Sequence, residues 1–280
     1  MLEATIVTSA TPAVPHSDLV DESPIFAFGA QTAAIADVEL RKLMRDPTEL
    51  LTRAVQPVLW LLVFGAVFTR IRAIPTGSMS YLEFMAPGVL AQSVLFSAIF
   101  YGIAIIWERD LGIVHKLLVT PAPRSALVLG KALSAGLRGL AQAVIIVLLA
   151  LMLGIRIRAE PIPLLGVCVA VVLGSALFST FSLIVACLVK TRERFMGIGQ
   201  VLTMPLFFAS NAIYPIAIMP RWLQIIARVN PLSYLVDALR DLMIQGGASA
   251  FGLGTDFLVL GAVFAVFIVI AARLFPDIVQ

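Results

Sequence analysis

Apolar and polar positions fall in long blocks along this chain. From Phe84 to Trp107 there is no Asp, Glu, Lys or Arg. A helix needs about 20 apolar residues to cross a bilayer core, so that run is long enough. Blocks of the same kind predict six spans, at residues 50–68, 84–107, 133–153, 162–189, 195–218 and 252–272. The second, fourth and fifth carry no formal charge. Arg53 falls near the start of the first and Arg138 in the first turns of the third, where long side chains can reach the interface. Asp256 stands at the start of the sixth. Uninterrupted runs of this length are helical, whereas a barrel alternates in-and-out strands of about ten residues. The fold class is therefore an all-α polytopic membrane protein with six transmembrane helices.

The segments between and before these blocks have characters of their own. Residues 1–29 are rich in Ser, Thr, Pro and acidic side chains and hold no Lys or Arg, which predicts a disordered cytoplasmic tail. They contain no long apolar core of a secretory signal. Residues 30–280 form the membrane domain. It opens on an N-terminal amphipathic helix lying at the interface over 29–45, where Ile35, Val38, Leu40, Leu43 and Met44 alternate with charged residues. Between the fifth and sixth spans, residues 220–246 show helical spacing broken at Pro231, which predicts two short helices on the outer face, partly re-entrant. Residues 107–124 join the second and third spans. Ile113, Val114, Leu117 and Leu118 recur at helical spacing there, and Pro121 with Pro123 ends the pattern. Such a surface helix is either a handle for a soluble partner or an ordinary amphipathic connector.

Composition agrees with this class. The chain is 60% hydrophobic and 13% charged, about half the charge of an average soluble protein. The net charge of +3 says little, but its distribution says more: 13 of the 20 Lys and Arg fall on the side of the N-terminus. That bias predicts both termini in the cytoplasm, with the 107–124 segment on the same side. Cys168 and Cys187 lie in one span, about 28 Å apart along a helix, and cannot bridge within it.

Candidate chemistry is sparse. Gly130-Lys131 resembles the end of a phosphate-binding loop, yet Ser125 stands where the first glycine is needed and Ala132 where the magnesium-binding hydroxyl is needed. His16 and His115 have no partners at metal-ligand spacing, and no catalytic residues can be named. A mildly polar, aromatic face remains inside the membrane. Gln92, Phe96 and Phe100 recur every fourth residue on the second span, and Phe207, Asn211 and Tyr214 do so on the fifth. These six residues are the candidate translocation path for an amphiphilic cargo. Helix packing or lipid contact is the other reading of the same stripe.

Two motif groups resemble one known family. The first is Glu108-Arg109-Asp110-Leu111-Gly112 through Leu117-Leu118-Val119-Thr120-Pro121, followed by Arg124 and Leu129-Gly130-Lys131. The second is Tyr214-Pro215, Met219-Pro220, Trp222-Leu223, Asn230-Pro231-Leu232-Ser233-Tyr234 and Asp237-Ala238-Leu239-Arg240. Over about residues 30–280 the chain resembles the permeases of ABC type-2 transporters, which include daunorubicin-resistance exporters and polysaccharide or lipid exporters. It departs from the family pattern at Ile113-Val114-His115, where Thr-Leu-Glu is common.

The resemblance implies a non-enzymatic half-transporter of the bacterial plasma (inner) membrane. The chain itself would bind no cofactor; ATP and magnesium would sit on a separate ATPase subunit, present in two copies. A second permease subunit, most simply the same chain in a homodimer, and membrane lipids would be the other partners, with no nucleic acid. Glu108, Arg109, Ile113, Leu117 and Leu118 would form the coupling helix that meets the ATPase. The cargo would be drug-like or lipid-like and amphiphilic, with a lipid-linked glycan or polysaccharide as the alternative. A non-transport membrane scaffold is the competing class.

Overall fold

The computed structural model describes residues 29–30, 32–33, 37–38, 41, 48–65, 67–68, 74–77, 79–112, 114, 124–189 and 191–275. Among them the architecture is a bundle of α-helices: α1 (Thr48–Leu59), α2 (Tyr81–Asp110), α3 (Arg124–Met152), α4 (Pro161–Leu188), α5 (Arg192–Phe208), α6 (Arg221–Val229), α7 (Pro231–Met243) and α8 (Leu253–Leu274). Four of these, α2, α3, α4 and α8, are long and apolar enough to cross a membrane. The tail over 1–28, and the interfacial helix apart from a few positions, lie outside the described residues.

α2 is the axis of the bundle. Its 30 residues correspond to about 45 Å of helix, longer than a bilayer core of about 30 Å. Ser80 and Glu83 close a capping box at its start: the Ser80 hydroxyl accepts from the Glu83 amide at 3.2 Å, and Glu83 accepts from the Ser80 amide at 2.9 Å. Two amides of the first turn are thereby satisfied. At the other end Gly112 turns the chain out of the helix at φ 71° and donates to the Arg109 carbonyl, a conformation glycine adopts without steric cost. Helices α1, α3, α4, α5 and α7 pack around α2.

Close helix approach depends on small residues. A Cβ at Gly139 of α3 would meet Ser175 Oγ of α4 at 2.1 Å, and one at Gly88 of α2 would meet the Ala212 carbonyl oxygen at 2.3 Å. Backbones approach this closely in membrane bundles because apolar lipid supplies no hydrophobic drive and packing must replace it. The outward faces are apolar instead of polar: Leu258, Val266 and Val269 of α8, and Leu148 and Leu151 of α3, are exposed, which suits contact with lipid.

The structure changes three details of the sequence reading. The third span begins at Arg124, so Arg138 lies mid-helix and buried instead of in the first turns. The fifth, expected over 195–218, is helical only to Phe208. Pro205 has no amide to extend the ladder, and Ser210 turns its hydroxyl back onto the Phe207 carbonyl at 2.7 Å, so the chain leaves the helix there. The first, expected over 50–68, is helical as α1 and then a π-helical turn over Trp60–Phe64, just after Pro57.

The two helices expected over 220–246 are present as α6 and α7, and they differ. α6 exposes Trp222, Ile225 and Val229, whereas α7 is buried along most of its length between α2, α4 and α8. Asn230 builds the joint between them. Its side-chain oxygen caps α7 by accepting from the Leu232 amide at 3.0 Å, and its amide nitrogen donates to the Leu206 carbonyl at 2.7 Å. Pro231, in the first turn of α7, needs no amide partner. The α3–α4 loop closes over this end of the bundle: Arg158 donates to the Met243 carbonyl, Gln245 to the Arg156 carbonyl, and Arg156 pairs with Glu83 at 3.0 Å.

Candidate functional site

A groove of about 230 Å³ runs between α1 and α2, lined by Thr52, Gln56, Pro57, Gln92, Ser93, Phe96, Ser97 and Phe100. The lining follows from helix periodicity. Residues 92, 96 and 100 share one face of α2, 93 and 97 flank it, and 52 and 56 share a face of α1. The Phe96 and Phe100 rings lie 6.3 Å apart. Gln92 is buried, and its side-chain carbonyl oxygen has no partner. An unmet buried acceptor costs about 1–3 kcal/mol, which a guest with an N–H or O–H donor would recover. The groove thus combines two rings, amides and hydroxyls with no formal charge.

Phe207, Asn211 and Tyr214 are not part of it. Because α5 ends at Phe208, these three do not share a helix face. Phe207 is buried against Trp60, edge to face at 5.8 Å. Asn211 is buried and donates to Asp237 at 3.4 Å. The Tyr214 hydroxyl donates to the Phe208 carbonyl.

The end of α2 that leads into the charged connecting segment is clamped to two neighbours. Glu108 pairs with Lys131 of α3 at 2.5 Å, and both side chains are largely withdrawn from solvent. Lys131 and Arg138 both approach the Tyr101 ring, at 5.9 and 5.0 Å, and the Tyr101 hydroxyl lies 3.2 Å from Ser134 Oγ. Asp110 pairs with Arg192 at the start of α5 at 2.7 Å, and that guanidinium covers the Trp107 ring at 3.6 Å. Arg109 turns to Asp110 at 3.1 Å. Ile113, Leu117 and Leu118 lie outside the described residues.

The opposite end of the bundle holds a second buried polar cluster. Arg240 of α7 donates to the Asn211 carbonyl at 2.8 Å and lies 3.9 Å over the Phe84 ring. Asp237, one turn earlier, is 3.9 Å from the Arg240 guanidinium and is bonded by Asn211, Ser249 and the Phe251 amide. Asp256 of α8 reaches the same Ser249. The sequence places Asp237 and Arg240 in the helices expected on the outer face; the fold brings Asp237, Arg240 and Asp256 together. The available signal was Asp237 and Arg240 three residues apart in an apolar helix. For Lys131 and Arg138 it was their seven-residue spacing on one face of α3.

Comparison with known proteins bears on the whole arrangement. A family model described as ABC-2 type transporter matches residues 30–244. A protein of Cyanophora paradoxa named as the transport permease ycf38 is 31% identical over 209 residues, covering 72% of this chain and 70% of its own. The daunorubicin resistance ABC transporter permease protein DrrB1 of Streptomyces coeruleorubidus is 27% identical over 231 residues, 82% of this chain and 81% of that one. A protein of Mycobacterium tuberculosis named as the doxorubicin resistance ABC transporter permease DrrC is 26% identical over 223 residues, 78% of this chain and 79% of its own.

Proposed function

The chain belongs to the ABC-2 type transporter family, and on that premise we propose that it is one half of an exporter that moves an amphiphilic, drug-like or lipid-like cargo outward. As a member of that family it is a multi-pass membrane permease that works with a separate ATPase subunit. The finer reading is ours: six crossings, with α1 and α5 completing the four long helices, both termini in the cytoplasm, and two permease copies served by two ATPases.

The groove carries the reading. Its rings and uncharged polar groups suit a guest that is partly apolar and partly hydrogen-bonding. A groove of about 230 Å³ is smaller than the usual ligand pocket of about 300–1,000 Å³, as half a site would be when a second subunit supplies the facing wall. Gln92, Phe96 and Phe100 are the contact residues in this proposal. Phe207 supports the wall from behind through Trp60; Asn211 and Tyr214 lie apart from it.

Force reaches the groove along α2. ATP-driven closure of the ATPases pushes the segment around Glu108–Leu118; Ile113, Leu117 and Leu118 dock into the ATPase, and Glu108 and Arg109 orient them. Because Glu108 is tied to α3 and Asp110 to α5, the push turns three helices together. A non-transport scaffold does not fit the family, and a lipid-linked glycan is the alternative cargo.

The test is reconstitution. The permease should co-purify with its ATPase, and ATP turnover in lipid should rise with amphiphilic drugs. Stimulation by lipid-linked glycan alone would reassign the cargo. Replacing Leu117 and Leu118 together by Asp should abolish ATPase association without blocking membrane insertion; normal association would remove this segment from the interface.

A further inference from the structure

Ser249, in the loop before α8, has more hydrogen-bond partners than a charged reading of its neighbours allows. Its hydroxyl oxygen lies 2.9 Å from Asp237 Oδ2 and 2.8 Å from Asp256 Oδ2, and it accepts from the Gly252 amide at 2.7 Å. A hydroxyl has one proton to give. Serving one carboxylate leaves the other facing an oxygen lone pair at hydrogen-bond distance, an arrangement that is attractive only if that second group carries a proton of its own.

The surroundings decide which one does. Asp237 is met by donors and a cation: the Phe251 amide donates to it at 2.9 Å and the Asn211 side chain at 3.4 Å, and the Arg240 guanidinium is 3.9 Å away. Asp256 has no such help. It is 0% exposed, and its second oxygen has no partner. The charged groups facing it come from α7 and are mostly of its own sign, Asp237 and Asp241, while Arg240 is committed to Asp237, Asn211 and Phe84. α4 has no charged side chain along its length, and α3 has none after Arg138. A carboxylate so placed has no donor for its second oxygen and no cation of its own, whereas a carboxylic acid can give its proton to Ser249.

We propose that Asp256 is a proton-binding site: a neutral carboxylic acid that donates to Ser249 and, through it, holds the start of α8 on Asp237 of α7. The proton sits at the hinge between two helices. The Tyr234 and Phe251 rings, 4.7 Å apart, and the Phe251 amide complete the same latch. Ser249 is half-buried, so protons reach the cluster through this loop. Release of the proton places a second negative charge beside Asp237 with a single guanidinium to serve both, and the loop lifts from α7.

The experiment uses the purified full-length permease in lipid nanodiscs. Infrared difference spectra between wild type and Asp256→Asn should show the carbonyl band of a protonated carboxylic acid in the wild type alone, and Asp237→Asn should leave that band in place. An asparagine amide can give Ser249 the same hydrogen bond, so Asp256→Asn should match the wild type in thermal stability near neutral pH. The folded wild type holds one proton more than the unfolded chain, so its folding constant should fall about tenfold per pH unit as pH rises towards release, and Asp256→Asn should flatten that slope. Absence of the band in the wild type overturns the proposal, and so does its loss in Asp237→Asn instead. Should Asp256→Asn fail to fold, the wild-type band and its disappearance at alkaline pH decide alone.

Discussion

Lys131 Nζ of α3 stands 2.5 Å from Glu108 Oε2 of α2, with the Tyr101 ring beneath the ammonium. The pair ties together two helices whose charged connecting segment is the proposed point of contact with the ATPase. Removing one partner takes this bond from the other charge in a site nearly closed to solvent. Lys131→Ala or Glu108→Ala should therefore destabilise the permease by about 1.5–3 kcal/mol. Exchanging the two residues should recover part of that loss. Thermal unfolding of the purified protein measures both, and a neutral single mutant would dissolve the clamp.

The approach of α2 to the segment after α5 is set by Gly88, where a Cβ would fall 2.3 Å from the Ala212 carbonyl oxygen. Backbone cannot swing aside as a side-chain tip can. Gly88→Ala should lower stability by about 1–3 kcal/mol, whereas Gly197→Ala, where a Cβ meets nothing within 4 Å, should be near neutral. The comparison of their unfolding temperatures checks the claim.

Phe96, which lines the groove, and Phe207, which does not, should respond differently to truncation. Phe96→Ala should weaken cargo stimulation of ATP turnover up to tenfold, from about 0.5–1.5 kcal/mol of lost ring contact, at little cost in stability. Phe207, 1% exposed, should cost about 3–5 kcal/mol of stability when truncated to Ala. Dose–response curves beside melting curves distinguish them. Equal behaviour of the two variants would count against the groove.

Orientation is open to labelling. In a background with Cys168 and Cys187 replaced by Ser, Glu193→Cys should react only with reagent on the cytoplasmic side and Ala248→Cys only from outside. The reverse pattern would invert the topology while leaving the fold intact.

Length and hydropathy made α2, α3, α4 and α8 legible, because a run without charge has few alternatives to a membrane helix. The Pro220–Gly246 region was legible as two helices because its apolar residues keep helical spacing and Pro231 marks the break. The depth of α7 was not. An apolar helix carrying Asp237 and Arg240 reads as an outer-face element until its partners are known, and Phe84 lies 156 residues away in sequence. The early end of α5 was hidden for a related reason: Ser210 and Asn211 look like ordinary polar residues within a span, and only their bonds show that they have left the helix. Within the groove, Gln92, Phe96 and Phe100 announced themselves by four-residue spacing. Thr52 and Gln56 carry the same spacing on α1, but nothing in the chain says which faces meet.

The bond from Arg240 to Phe84 spans 156 residues, and the pairing of Gln245 with Arg156 joins residues 89 positions apart. This has a consequence for biogenesis. A nascent chain that has inserted α1 to α4 still lacks the helix that fills the space beside α2, and its Glu83–Arg156 bridge closes over an empty place. That half-made bundle must wait in the bilayer until α5 and the α6–α7 pair have been synthesised. Its Gly88 face is bare in the meantime, open to wrong helix neighbours or to the quality-control proteases that survey unfinished membrane proteins.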